Sequence, residues 1–179
     1  MMKDKKSVLV VMRKDGGDGV PHHYHVPYVF ARSSDSGHSW SLSSAPASML
    51  SARPRAAALS SGPILVAGGR PALNLWVNEA GDGDKWQTLD IPTEHNKLIT
   101  DPALKYCAAF ENANMSLGWA QTSAYTQTLA LSPTVAIVCY EKQGGGSGGY
   151  KKHMPKECAQ PLCGNLPGSA IFCMRVRVE

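Results

Sequence analysis

Residues 33–40 read SSDSGHSW, with Ser33, Asp35, Gly37 and Trp40 in a Ser-x-Asp-x-Gly-x-x-Trp spacing. That spacing has a physical logic. Short Ser and Asp side chains reach neighbouring backbone N–H groups and hold a tight turn. Glycine admits a positive φ at the tightest point. A tryptophan three residues later begins the returning strand and lays a large ring over the turn. A degenerate second copy follows at Gly81–Trp86, GDGDKW, where Gly83 and Trp86 keep the last two positions and Glu79 and Gly81 stand where Ser and Asp would be.

Outward from these turns, short apolar runs are separated by Gly, Pro, Ser and Asp, which predicts strands rather than helices. The runs are Ser7–Arg13, Val26–Ser33, Arg55–Leu59, Ile64–Gly68, Ala72–Asn78, Ala124–Leu131, Thr134–Tyr140 and Ala170–Val178. They fall into three clusters that begin at intervals of roughly 50–60 residues, a period typical of repeated β units. Asp101–Asn114 opens on Asp-Pro and has a helix-forming composition, so one short helix is expected there, in a connecting loop. Gly144–Gly149, GGGSGG, reads as a surface loop, since no Lys-Ser/Thr follows it to make a phosphate cradle.

Composition narrows the classes. Of 179 residues, 43% are hydrophobic and 18% charged, which suits a packed domain rather than a disordered chain. The formal charge of +4 is scattered, with no basic stripe interleaved with aromatics, so nucleic acid is not an expected partner. No apolar run approaches the ~20 residues of a spanning helix. Cys139 and Cys173 lie in apolar runs and are expected as buried thiols, whereas Cys158 and Cys163 lie in a loop and can pair in an oxidising compartment. Three histidines in Pro21–His25 read as a polar loop ahead of a strand, and no metal site is expected.

The 33–40 motif resembles the Asp-box of the sialidase (neuraminidase) superfamily, also called the BNR repeat. The resemblance runs from about Ser7 to Val178 and covers the C-terminal half of that family's domain. It implies an all-β fold: a partial six-bladed β-propeller, about three blades of four-stranded antiparallel sheet at roughly 7–45, 53–92 and 115–179, all within one incomplete domain over 1–179. The box itself is structural, and Ser33, Asp35, Gly37 and Trp40 carry no expected chemistry.

The same resemblance implies a site. Sialidases grip a substrate carboxylate with arginines, whose planar forks make paired charge-assisted bonds. Two of these typically end the second strand of a blade, a context matched by Arg13 after VLVVM and by Arg70 after PILVAGG. The family nucleophile is a tyrosine, an exception to the usual carboxylate pair. Tyr125, in SAYT, matches its context, and Glu141, in the following Tyr-Glu, matches a glutamate that orients an arginine. Arg32, Arg53 and Arg55 are expected in structural or rim positions, and His95 and Asn96 in a loop at the pocket mouth. The expected ligand is a sialylated or other acidic glycan, with no cofactor. The family's first arginine, its acid/base aspartate and the glutamate that activates the tyrosine would lie upstream, in a missing N-terminal half that is itself an expected partner. The alternative reading is a non-catalytic carbohydrate-binding or structural Asp-box propeller.

Overall fold

The structure is a computed structural model and describes residues 6–14, 26–69, 73–106, 125–142 and 170–179. It is mostly β. A first sheet has strands β1 (Val8–Met12), β2 (Val29–Ser33) and β3 (Ser41–Ser44). A second has four strands, β4 (Ala52–Ala58), β5 (Ile64–Gly69), β6 (Asn74–Asn78) and β7 (Gln87–Asp90). A third has β8 (Thr126–Ser132), β9 (Val135–Lys142) and β10 (Ala170–Arg177). Within each sheet chain neighbours pair antiparallel.

The three sheets stack in chain order. The central strand β5 of the middle sheet is buried on both faces, which is why Ile64–Gly69 reads as an uninterrupted small and apolar run instead of alternating. Side chains that alternate along β5 and β6 go to different cores. Val66 and Trp76 join Tyr28, Phe30, Ala45 and Met49 in a core shared with the first sheet. Leu65, Ala67 and Leu75 join Ala136, Val138, Tyr140 and Val178 in a core shared with the third. Each fully buried side chain of this size contributes about 1.5–3 kcal/mol. The exposed Arg32–Asp84 ion pair, 3.0 Å long, contributes about 0–1 kcal/mol by comparison. Burial therefore decides the architecture.

The turn at 33–40 is built as its residues suggest. The Ser33 hydroxyl donates to Asp35 at 2.7 Å and accepts from the Gly37 N–H at 2.8 Å. Asp35 accepts from the N–H and hydroxyl of Ser39 at 2.9 and 2.6 Å. These bonds, those from Ser39 first, hold the Asp35 carboxyl down at a pKa of about 2. Gly37 has φ 93°, and Trp40 donates its indole N–H to the Gly37 carbonyl at 3.0 Å. The Trp40 ring remains 46% exposed, so it lies on the turn rather than in a core.

The second turn carries the same scaffold on different residues. Asn78 replaces the serine: its carbonyl accepts from Gly83 N–H at 2.8 Å, and its amide donates to Asp82 and to the Lys85 carbonyl at 2.9 and 2.7 Å. Asp82, rather than Gly81, takes the aspartate's role by accepting from Asp84 N–H at 2.9 Å. Trp86 donates to the Gly83 carbonyl at 2.8 Å, as Trp40 does to Gly37. The copy that reads as degenerate is thus re-formed with an amide and a displaced carboxylate.

This second turn also locks two sheets together. Arg32, at the end of β2, donates to the carbonyl oxygens of Asp82 (2.7 Å) and Gly83. Gly83 has φ 78°, and a Cβ there would stand 3.1 Å from the Arg32 guanidinium and 3.2 Å from Leu9.

Two expectations are corrected. The α-helix is α1 (Ile91–Leu98), directly after β7, with Asp90 as its N-cap accepting from Thr93 N–H and Pro92 in the first turn. In the stretch expected to be helical, the described part holds one 3-10 turn, Pro102–Leu104, capped by Asp101, and the remainder lies outside the described residues. Cys139 and Cys173 are not buried thiols: they face each other across the β9–β10 ladder and form a disulfide with Cα atoms 4.0 Å apart. Both lie on the outer, partly exposed face of the third sheet. Cys107, Cys158, Cys163, Gly144–Gly149 and the histidines of 21–25 lie outside the described residues.

Two expectations follow for stability. Gly83→Ala destabilises by about 1–2 kcal/mol from backbone strain, with an added loss from crowding Arg32, read as a lower urea midpoint. Reducing Cys139–Cys173, which closes a separation of 34 residues, costs about 3–4 kcal/mol on chain-entropy grounds. Thermal melts with and without reductant, and in Cys173→Ser, read that loss; equal melting temperatures would count against the bridge.

Candidate functional site

The stack has two different ends. At one, the turns lie against one another. Arg32 reaches the 79–86 turn, Gly81 packs on the Gly62 carbonyl, and the Ser61 hydroxyl and N–H donate to the Pro133 carbonyl. Between the 33–41 and 80–82 segments lies an open groove of about 720 Å³ lined by Ser7, Ser33, Ser39, Trp40 and Asp82. None of the residues expected to do chemistry lines it.

Those residues belong to the opposite end. β1 finishes there at Met12, paired with Val29, and half-buried Arg13 follows. β4 begins there at Ala52, paired with Gly69. β8 begins there at Thr126, paired with Tyr140, so Tyr125 precedes it and Glu141 follows its partner. Strand order therefore brings Arg13, Tyr125 and Glu141 to one end of the stack. Arg70, the residue after Gly69, lies outside the described residues.

Only one direct contact of Tyr125 with a basic group is seen among the described residues, and it is with Arg53. The Arg53 guanidinium sits 4.3 Å from the Tyr125 ring centroid, and Tyr125 is 52% exposed. Arg53, expected in a structural or rim position, is exposed beside the candidate nucleophile. Its backbone has φ 50°, a left-handed conformation in a non-glycine residue. The cause is a register shift: Ala52 pairs with Gly69 and Arg55 with Ala67, so Arg53 and Pro54 together oppose Gly68. Pro54 has no N–H to give the ladder, and Gly68 has no side chain because Ser51 and the Tyr28 hydroxyl fill its space, within 2.7–2.9 Å of a Cβ built there. Arg-Pro opening a strand opposite Gly-Gly is the sequence signal for this bulge.

Beneath this end lies a buried polar cluster that sequence alone assigned to the pocket mouth. His95 is 2% exposed. Its Nε2 is 3.0 Å from the Leu104 carbonyl, which can only accept, so Nε2 carries the proton. Nδ1 then accepts from the Tyr140 hydroxyl at 2.9 Å. Asn96 clamps Tyr106 from both sides, accepting from its N–H at 2.8 Å and donating to its carbonyl at 2.9 Å. The Tyr106 hydroxyl donates to the Glu141 carbonyl at 3.2 Å. Burial pushes Tyr140 up to about 12 and Tyr106 well above the ordinary phenol range. Burial also pulls His95 down, with the Lys142 charge adding to that pull and the Leu104 carbonyl opposing it. His95 and Asn96 are therefore supports for β9 and for the 101–106 segment, on helix α1, and not lining residues of an open mouth.

Beside Tyr125, Thr126 and Thr128 bury hydroxyls that have no hydrogen-bond partner among the described residues. Each such group costs about 1–3 kcal/mol, so the start of β8 is held in place against a local penalty. Among the described residues no group of three or more His, Cys, Asp or Glu is placed to hold a metal ion, and no helix is long and apolar enough to cross a membrane. Comparisons with protein-family models, curated proteins and solved structures find no match to this chain.

The His95 cluster has a pH signature. Its folded pKa lies below the unfolded value of 6.5, so the folded state resists protonation. This contribution is present in full above 6.5 and is lost as pH falls from there toward the folded pKa. Melting temperatures at pH 7.5 and 5.5 should show that fall in the native chain, and a smaller one in His95→Gln.

Proposed function

We propose that the three sheets are consecutive blades of a sialidase-type β-propeller, and that the chain supplies one side of a glycosidase site for a terminal sialic acid or similar acidic sugar. The observation that carries this reading is the meeting of Arg13, Tyr125 and Glu141 at one end of the stack, opposite two Trp-closed turns. Stacking in chain order supports the propeller, as does the outer face of the first sheet. There Val8, Val10, Met12, Val29, Ala31 and Leu42 share one side, an apolar set like those buried between the inner sheets.

In this reading Arg13 and Arg70 pair with the sugar carboxylate through charge-assisted bonds. The Tyr125 oxygen attacks the anomeric carbon as the bond to the leaving oxygen breaks, giving a covalent tyrosyl glycoside that water then hydrolyses with retention. Glu141 orients an arginine. The acid that protonates the leaving oxygen, and the base that accepts the Tyr125 proton, would come from the N-terminal blades of the family's domain.

The test joins the chain to the N-terminal blades of a sialidase-family domain and assays a fluorogenic sialoside. Tyr125→Phe should lower kcat by about a thousandfold or more, as removal of a nucleophile does elsewhere. Turnover retained in Tyr125→Phe would sink the assignment, and glycan binding with no turnover in the unmutated protein would establish a non-catalytic propeller instead.

A further inference from the structure

We propose that Arg53 is a carboxylate-binding residue of this end of the stack, and that the Tyr125 ring is the platform that presents it. That the carboxylate belongs to an acidic sugar rests on the sialidase reading above. The anion site itself rests on geometry.

Three observations converge. First, the arginine is held where the backbone disfavours it. A left-handed φ of 50° costs about 1–2 kcal/mol for a side chain with a Cβ, a cost that glycine at 53 would avoid. The bulge at Ala52–Arg55 produces that conformation and turns the side chain out of the ladder. Second, the guanidinium packs on an exposed aromatic ring at 4.3 Å, which fixes its position and leaves its in-plane N–H groups for a ligand. Third, among the described residues Arg53 has no carboxylate partner and no hydrogen-bond acceptor, and its one contact of note is the Tyr125 ring. Arg32 shows the contrast: its fork is used up on the Asp82 and Gly83 carbonyls and the Asp84 carboxylate, all within the protein.

A second cation, Arg13, follows β1 of the adjacent sheet at the same end of the stack. No carboxylate among the described residues bonds to Arg53 to cancel that charge, so an anionic ligand would. A planar fork on an aromatic platform fits a planar carboxylate.

The test measures binding to the full chain by calorimetry, with N-acetylneuraminic acid, its uncharged methyl ester, benzoate and inorganic phosphate as probes. Arg53→Gly removes the fork and relaxes the backbone, so its melting temperature should hold or rise while affinity for the acid falls about ten- to a hundredfold. Arg53→Lys should recover part of that affinity by charge alone. Tyr125→Phe keeps the platform and should bind the acid within about twofold of the native chain, whereas Tyr125→Ala should bind as poorly as Arg53→Gly. The methyl ester should bind weakly to every variant.

If Arg53→Gly binds the acid as the native chain does, Arg53 is not a ligand residue and the proposal falls, while the sialidase reading stands. If benzoate or phosphate binds through Arg53 and N-acetylneuraminic acid does not, the anion site stands and the sialidase reading falls. If no anion binds the native chain, the anion site is overturned.

Discussion

The structure depends on one constraint: the inner strands of the middle sheet, β5 and β6, must bury both faces. β5 and β6 send alternate side chains to two cores, so neither strand has a solvent side to relax toward. A register slip of one residue would exchange Leu65 and Ala67 for Val66 and put Trp76 where Leu75 packs. The first and third sheets are held because each covers one of these faces. This is also why the central run carries no polar side chain from Ile64 to Gly69, while β3 and β10 at the margins of their sheets are open to solvent.

The two ends of the stack use similar residues in opposite ways. At the turn end four polar side chains are committed inward. Asp35, Asn78, Asp82 and Arg32 satisfy backbone N–H and carbonyl groups, and the positive-φ positions fall on Ser36, Gly37 and Gly83, small residues of the turns. That end is a set of mutually braced hairpins. At the other end a positive φ falls on the long, charged Arg53, and among the described residues two buried threonine hydroxyls have no hydrogen-bond partner. Local strain of this kind persists only where surrounding packing enforces it, and it concentrates at functional sites.

Much of the fold was legible because it rests on local patterns. Gly-rich turns and short apolar runs mark eight of the ten strands seen, and Ser33-x-Asp35-x-Gly37-x-x-Trp40 marks one turn outright. What was missed depends on contacts distant in sequence. Asn78 falls outside the motif spacing because its bond to Gly83 spans one residue more than the Ser33–Gly37 bond. Helix α1 was missed because IPTEHNKL has little apolar periodicity; it is set by the Asp90 cap and by His95 meeting Tyr140, 45 residues away. The Cys139–Cys173 bridge follows from the β9–β10 register, which no spacing rule supplies. The site was legible as a list of residues but not as an arrangement. The sequence marks Arg53 as a structural or rim charge; its seat on the Tyr125 ring comes from the bulge.

The buried His95 cluster and the exposed Tyr125 form one mechanical unit. Alternation along β9 sends Tyr140 and Lys142 inward and leaves Glu141 between them on the other face. Tyr140 is fixed by His95, and the Glu141 backbone by the Tyr106 hydroxyl. Because Thr126 pairs with Tyr140, the position of Tyr125 is set one residue away from that anchored phenol. The imidazole thus stabilises the frame that aims the exposed tyrosine without approaching any ligand. A neutral histidine suits the task, since a second cation beside buried Lys142 would strain the frame. The chemistry proposed for this end is therefore carried by exposed Arg53 and Tyr125 and half-buried Glu141, whose geometry is fixed by buried groups that take no part in it.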